Sequence, residues 1–538
     1  EWRPIPLREG VILQNEMHFK DGDARKIERR TSNPAINLAL DTIKTGGQAL
    51  LFANTRRRAM ALAKKASKSV NEFLSKPLRR SLKRNAQKIL TAGERTRISE
   101  SLAELVEHGT AFHHAGLGSA HRKIVEDSFR SGKIKVIAAT PTLAFGVNLP
   151  ARTVIIQDYR RYEPGYGYYP INVLEYKQMA GRAGRPKYDK AGEAILTAKT
   201  DDEADYLMET YILGKPERIW SRLAVEKILR SHVLATIATD FAHTERGIYD
   251  FFGRTFYAYQ YEIGAIKNIM AKILKYLYDE EMIDVNGNDI YATKFGKRVS
   301  ELYIDPVSAV IIRDALFLEV TNITDLSLLH LIAHTPDMAP KLRPYTQELD
   351  EVAVFMDEHQ EEILVNLPEK WEDRIAYEEL LGEIKTAMVL KGWIEEMSED
   401  NMIQKFHVQP GDLYRAKYNA NWLLYAMHEL AVLFNIKHVK PKTHELMERI
   451  DKGVKKELIS LVKLRGIGRI RGRIIYNAGY KSTKDLKSAA LKDLTELPLI
   501  GAKLAKSIKG EVGGLVKKKE WEKIEELEEW EQRALTEY

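Results

Sequence analysis

Five short apolar runs, each followed by a turn of small or polar residues, set the tightest limit on what this chain can fold into. They are Ala49-Leu50-Leu51-Phe52, Thr110-Ala111-Phe112-His113, Lys135-Val136-Ile137-Ala138-Ala139, Thr153-Val154-Ile155-Ile156 and Ala194-Ile195-Leu196-Thr197. Runs this short and this uniformly apolar fit strands buried on both faces. Helical segments alternate with them, which predicts a doubly wound α/β sheet over residues 1–200. In such a sheet functional residues gather at the carboxyl ends of the strands.

Two polar stretches follow those strand ends. Ala139-Thr140-Pro141-Thr142-Leu143-Ala144-Phe145-Gly146-Val147-Asn148-Leu149-Pro150 is the first, and Gln178-Met179-Ala180-Gly181-Arg182-Ala183-Gly184-Arg185-Pro186 is the second. Two arginines three apart, on a turn that two glycines keep narrow, can reach neighbouring phosphate oxygens with their guanidinium forks. Thr140 and Thr142 sit just past a strand end, where hydroxyls and backbone amides can hold a phosphate of a nucleic-acid strand.

Together the two stretches resemble motifs V and VI of superfamily 2 helicases, which belong to the second of two RecA-like motor domains. The resemblance assigns Gln178, Arg182 and Arg185 to the ATP-facing side. An arginine supplied across a domain cleft to a departing γ-phosphate is worth roughly a thousand-fold or more in rate. It also implies close backbone approach at Gly146 and a nucleotide-facing Asn148. Phe52-Ala53-Asn54-Thr55-Arg56 resembles motif IV, placing Arg56 on the DNA side, and His113-His114-Ala115-Gly116-Leu117 resembles motif IVa. A metal reading of His113 and His114 lacks a third ligand at sensible spacing.

The first motor domain of such an enzyme carries a phosphate loop, and no G-x-x-x-x-G-K-[ST] occurs in the 538 residues. Ser131-Gly132-Lys133-Ile134 and Phe295-Gly296-Lys297-Arg298 lack the first glycine at the right distance and the hydroxyl for magnesium. Asp357-Glu358-His359-Gln360 imitates a D-E-x-H box, but it lies far downstream. Val352, Phe355, Met356, His359 and Ile363 around it recur at helical spacing, which predicts an amphipathic helix. The chain begins at Glu1 without a methionine. It therefore reads as the carboxy-terminal portion of a larger enzyme, inactive alone, with ATP and Mg2+ held mainly by the missing amino-terminal motor domain.

The length suggests about three to five domains. The absence of cysteine excludes disulfides and thiolate metal sites, and no apolar run or signal peptide points to a membrane, so a soluble, cytoplasmic protein is expected. The net charge of +7 is unevenly spread. Arg56 to Lys88 holds twelve basic residues and one acid, Glu72, whereas Glu520 to Tyr538 holds eight acids and two bases. The basic run reads equally as a solvated helix face or as a nucleic-acid surface.

Between the two motifs lies Tyr159-Arg160-Arg161-Tyr162-Glu163-Pro164-Gly165-Tyr166-Gly167-Tyr168-Tyr169-Pro170, which predicts an exposed β-hairpin. In the archaeal Hjm-type helicases of the Ski-like group a hairpin at this place acts as a wedge, with Tyr166 and Tyr168 here able to replace lost base stacking at roughly 1–3 kcal/mol per base. A packed aromatic loop is the alternative. Residues 201–298 are helix-rich and end in a hairpin signalled by Asn286-Gly287, which resembles a winged helix with a bracing role. Residues 299–440 read as a helical bundle. Its helix after Pro410-Gly411, with Asp412 expected as N-cap, resembles the family's ratchet helix. Arg415 and Trp422 share one face about 10 Å apart, placed for phosphate and base, although a tryptophan in a bundle is usually core.

Residues 441–511 carry two related hairpins, Leu464-Arg465-Gly466-Ile467-Gly468-Arg469-Ile470-Arg471 and Leu497-Pro498-Leu499-Ile500-Gly501-Ala502-Lys503. Gly466 and Gly468 present backbone amides at a helix start, suited to a DNA phosphate, with Arg469 and Arg471 beside them. The second hairpin has Leu499 in place of the first glycine. The pattern resembles the helix-hairpin-helix domain that ends Hjm-type helicases. In the tail, residues 512–538, Gln532, Leu535 and Tyr538 fit a sliding-clamp peptide whose second aromatic is missing.

The whole order is similar to archaeal Hjm-type DNA repair helicases, relatives of the animal HELQ proteins. That resemblance implies ATP-driven 3′-to-5′ translocation on single-stranded DNA and unwinding of forked or stalled replication structures. The rivals are a Ski-like RNA helicase, sharing motifs V and VI, and an ATP-independent DNA-binding module.

Overall fold

The computed structural model describes residues 5–163, 167–186, 188–318, 323–368, 371 and 373–513. By contacts the chain falls into two units: residues up to Ile219 together with His407–Tyr414, and Trp220–Phe406 with the chain from Arg415 onward.

The first unit is built on one sheet. Its strands are β1 (Leu7–Leu13), β2 (Glu16–Phe19), β3 (Ala24–Lys26), β4 (Ala49–Phe52), β5 (Thr110–His113), β6 (Val136–Ala139), β7 (Thr153–Ile156) and, after a separate hairpin of β8 (Arg160–Glu163) and β9 (Gly167–Pro170), β10 (Gly192–Ala198). The order is β3-β2-β1-β10-β7-β4-β6-β5. From β1 to β5 every pairing is parallel, and β2 and β3 add an antiparallel edge. Every residue of β4, β5, β6 and β7 is buried, as strands covered by helices on both faces must be. All five predicted strands form, whereas β1, β2 and β3 are an addition that the apolar runs did not signal. β1 carries charge at Arg8 and Glu9, and it pairs through backbone along the whole of β10.

Several helices of this unit start at side-chain caps. Thr55 accepts from the amide of Arg58 and opens Arg56–Val70, and Thr96 with Ser99 forms a reciprocal cap on Arg97–Glu107. The basic run lies on Arg56–Val70 and Lys76–Thr91, whose buried faces are made of Ala59, Leu62, Ala63, Leu82, Ala86 and Ile89. Those faces join the sheet core, so most of the basic side chains are left outward.

Among the described residues the second unit is helical apart from one hairpin, β11 (Ile283–Asn286) and β12 (Asp289–Ala292). It turns at Gly287, whose φ of +63° favours glycine. A Cβ at Gly296 would overlap the Met282 carbonyl, so helix Lys294–Leu302 packs directly on the base of that hairpin. The long helix Arg374–Ile394 is buried without a break from Leu380 to Leu390, including Glu383 and Lys385. A helix apolar and buried all round is a central one, and its two charges are matched inside the unit. Lys385 Nζ donates to Glu348 at 2.6 Å, and Lys341 Nζ donates to Glu383 at 2.5 Å.

The expected helix forms over Leu349–Glu358 and ends inside the D-E-x-H segment, with His359 as its C-cap and a 3-10 turn over Gln360–Glu362 before Ile363. Near the carboxy terminus, short helices from Ile459 to Glu511 enclose a separate apolar core that includes Leu458, Leu461, Ile475, Leu486, Leu494 and Ile508. Among the described residues no helix is long and apolar enough to cross a membrane.

Candidate functional site

The polar stretches lie where the sheet places them. β6 ends at Ala139, paired with Phe52 of β4 and His113 of β5, so all three strand-end segments emerge side by side. After β6 the chain makes a short helix, Thr142–Gly146. Thr140 is buried and Thr142 exposed, with their hydroxyl oxygens 2.9 Å apart. A Cβ added at Gly146 would meet no protein atom, so this glycine is not demanded by the chain's own packing.

The two-arginine turn is held by its glycines. Gly184 takes φ +93° and lies against Ile5 and Gly192. Gly192 in turn has the Ala183 backbone where its Cβ would be. Any side chain there would force apart the bridge between Ala151 and Ala183 that pins the turn to the sheet.

The arginines themselves part company. Arg182 Nε donates to the Ala144 carbonyl at 3.2 Å, Nη2 donates to the same oxygen, and Nη1 reaches Asn148 Oδ1 at 3.5 Å. It is half-buried, and burial lowers its proton affinity from the ordinary value. Gln178, also half-buried, lies one turn before it on helix Val173–Ala180. Arg185 is committed instead to a buried carboxylate. Its Nε and Nη2 donate to Asp189 at 2.7 and 2.8 Å, and Nη1 donates to Gln48 Oε1 at 2.7 Å. Arg152 Nε donates to Asp189 as well, at 2.8 Å. Burial alone would raise the Asp189 pKa, but the hydrogen bonds from Arg185 and Arg152 outweigh it and hold the carboxyl down at about 2. Asp189 was not anticipated from sequence, although its place four residues after Arg185 was a readable signal.

Arg56 has an equally definite partner. Its Nη2 donates to Asp412 Oδ1 at 2.9 Å and its Nη1 to Gln409 Oε1 at 3.0 Å, with a further contact from Nη1 to Asp412 Oδ2. The Gly411 amide donates to the Gly116 carbonyl at 2.8 Å. Asp412 is therefore not the expected N-cap. The helix runs Pro410–Leu433, two residues earlier, and Asp412 in its first turn serves Arg56. His114 is fully buried, stacked on Phe112 with neither ring nitrogen hydrogen-bonded. Burial, followed by the charges of Arg56 and His113, pushes its pKa to about 3. Among the described residues no three His, Asp or Glu side chains are grouped to hold a metal ion.

The hairpin between the motifs forms with Arg161 opposite Tyr169 and Tyr162 opposite Tyr168. Tyr168 is 63% exposed, and Tyr166 lies outside the described residues. Arg161 stands over the Tyr169 ring and donates to Glu175 at 3.2 Å.

In the second unit, Trp422 is half-buried and its Nε1 donates to the Leu302 carbonyl at 3.0 Å, while Arg415 is half-buried on the same face. In the first carboxy-terminal hairpin Gly466 takes φ +77° and Gly468 opens helix Arg469–Asn477. Arg471 closes the hairpins on each other, donating to the carbonyls of Gly466 at 2.8 Å and Leu499 at 3.0 Å. Arg469 is buried, stacked 4.0 Å from the centre of the Trp393 ring, and donates to the Met397 carbonyl at 2.9 Å. Leu499 adopts φ +63°, copying the left-handed turn of Gly466 without being a glycine. The clamp-like residues Gln532, Leu535 and Tyr538 lie outside the described residues.

Comparison with known proteins agrees with this layout. Residues 69–187 match the helicase conserved C-terminal domain, 326–453 match domain 4 of archaeal helicases, and 457–512 match a SAM-like helix-hairpin-helix tandem. The chain is 41% identical over 516 residues to the ATP-dependent DNA helicase Hel308 of Methanocella arvoryzae, covering 95% of this chain and 69% of that protein. It is 40% identical to the Hel308 of Pyrococcus horikoshii, covering 96% and 70%, and 38% identical to that of Caldivirga maquilingensis over the same shares.

Proposed function

The chain belongs to the Hel308 family of archaeal ATP-dependent DNA helicases, and from that premise we propose that it supplies the second motor domain and strand-holding domains of a 3′-to-5′ helicase acting on forked DNA. The observation that carries this reading is the pairing of Arg182 with the Ala144 carbonyl and Asn148. It sets a half-buried guanidinium against the turn after β6, held by a carbonyl and an amide rather than by a counter-charge. A guanidinium with no carboxylate of its own can turn to an incoming phosphoryl oxygen at small cost.

In this reading Arg182 places positive charge where the γ-phosphoryl group takes on charge, and Gln178 and Asn148 orient beside it. Gly146 leaves the approach open. Arg185 keeps the turn in place through Asp189. ATP fits a donor set of this kind, and the accompanying Mg2+ would be held by the nucleotide and by groups of a facing motor domain that carries the phosphate loop. On the DNA side, Thr140 and Thr142 hold backbone phosphate, Tyr168 on its hairpin meets the duplex junction, and Arg415 with Trp422 holds the emerging strand. The hairpin of Ile283–Asn286 and Asp289–Ala292 serves as the wing of a winged-helix domain.

ATP hydrolysis measured with and without single-stranded DNA tests this, on the chain alone and after addition of a family amino-terminal motor domain. Silence alone and DNA-stimulated turnover on addition are expected, with Arg182→Ala lowering turnover roughly a thousand-fold. Hydrolysis by the chain alone, or full activity of the variant, would overturn the assignment. Displacement from 3′-tailed but not 5′-tailed forks tests the polarity.

A further inference from the structure

We propose that Arg122 and Lys123 form a phosphate-binding site for the tracked DNA strand, in the cleft beside Thr142; this deepens the helicase reading above and rests on it. The cleft, about 510 Å³ in volume, lies in the first unit between helix Ser119–Arg130, along its whole length, and the turn after β6. Arg122 and Lys123 stand on one side, and Thr142 and Gly146 on the other.

Charge decides what the cleft can hold. Its two carboxylates are already used. Glu126 is 3.0 Å from His113 Nε2 and 3.4 Å from Arg130, and Asp127 accepts from Arg130 at 3.1 Å. The His113 hydrogen bond holds Glu126 below the usual carboxylate range, so it stays ionised and engaged. Arg122, half-buried, and Lys123, exposed, make no side-chain hydrogen bond or ion pair among the described residues. Arg122 lies within electrostatic reach of Glu126, but the Glu126 hydrogen bonds go to His113 and Arg130, so the Arg122 guanidinium keeps its donors for an incoming anion.

The opposite side suits the same ligand. Thr142 offers a hydroxyl tied to Thr140 at 2.9 Å, and the open space at Gly146 lets a backbone come close. His113 Nδ1, buried on this wall, has no hydrogen-bond partner among the described residues either. The remaining lining is small and aliphatic, from Ala115, Leu143 and Val147. Among the described lining residues there is no Phe, Tyr or Trp to stack a base. Cations, a hydroxyl and open backbone fit a phosphodiester, recognised without regard to sequence.

The test is binding of fluorescent oligo-dT to the full chain over a range of salt, for wild type, Arg122→Ala, Lys123→Ala and the double variant, with folding checked by circular dichroism. The double variant should bind on the order of tenfold or more weakly at low salt, and its log–log salt slope should be shallower by about 1.4, as expected for two lost single-strand phosphate contacts. Arg122→Lys should keep the slope. Wild-type binding with an unchanged slope in a folded double variant would overturn this site and leave the helicase reading standing. Failure of the wild type to bind single-stranded DNA would sink both. Mg-ATP titrated against the bound oligonucleotide separates the two sources of phosphate: displacement that the double variant abolishes would give the site to nucleotide and overturn its assignment to the strand.

Discussion

Asp189 in the first unit and Glu383 in the second are both buried carboxylates that gather cations, and they solve that problem with different partners. Asp189 accepts from Arg185 and Arg152 in a forked arrangement. Glu383 accepts from Lys341 at 2.5 Å and meets His334 Nδ1 at 2.8 Å, with His330 Nε2 further off at 3.9 Å. Burial raises both carboxyls and the cations lower them by more. The difference lies in the partners. Guanidinium does not lose its proton in a protein, whereas imidazole changes charge near neutrality. The centre beneath the two-arginine turn is therefore fixed in charge, and the one inside the helical bundle is exposed to pH.

The largest expected effect comes from breaking the fixed centre. Asp189→Ala strands two arginines, side chains only 26% and 14% exposed, without their counter-ion. It should cost about 3–5 kcal/mol, read from hydrogen exchange on β7 and β10. A loss under about 1 kcal/mol would mean that the arginines find water or Gln48 instead, and the contrast with Glu383 would dissolve.

The second effect is a pH dependence at the other centre. His330 is fully buried, and burial pushes its pKa from 6.5 to about 4. As pH falls, the unfolded chain takes this proton first. Stability is thus intact above about 6.5 and drains away toward about 4. Between pH 7 and pH 5 the loss should be about 2 kcal/mol. Six of the seven tryptophans follow Ile219, so urea unfolding watched by fluorescence reports the second unit. His330→Phe should flatten the profile. His114 acts in the same direction in the first unit, with its pKa pushed to about 3, so a slope unchanged in the variant would assign the effect to the wrong histidine.

The two centres also mark how far a sequence can be read. The strands and the two polar stretches were legible because their information is local: a run of apolar residues, then a turn with the right glycines. Gly184 is required by a positive φ and by Gly192 next to it, both consequences of a nearby strand end. Partner choice was not legible, because it is made by residues far apart in the chain. Arg56 was read for DNA and is engaged by Asp412, which its own position suggested as a helix cap. Arg469 was read beside a phosphate-binding hairpin and is stacked on Trp393, which nothing in the hairpin's sequence announces. β1 was missed because Arg8 and Glu9 shorten its apolar stretch to Val11-Ile12-Leu13, although it lies inside the sheet between β2 and β10. Arg185 and Asp189 fall between these cases, since spacing of four joins them but cannot say that the pair is buried.

That intermediate case supplies the smallest and sharpest test of the comparison. Arg182 and Arg185 are three residues apart, yet Arg182 donates to a carbonyl and an amide while Arg185 neutralises a buried charge. Arg185→Ala leaves Asp189 dependent on Arg152 and should cost several kcal/mol, so any loss of activity in that variant would be mixed with loss of structure. Arg182→Ala removes neutral-acceptor hydrogen bonds from a half-buried position and should cost about 1 kcal/mol or less. If unfolding energies of the two variants separate in this way while Arg182→Ala abolishes ATP hydrolysis measured with a family amino-terminal motor domain present, chemistry belongs to one arginine and architecture to the other. Equal destabilisation by both would show that the turn is a single charged unit, with neither arginine spare to meet a phosphate.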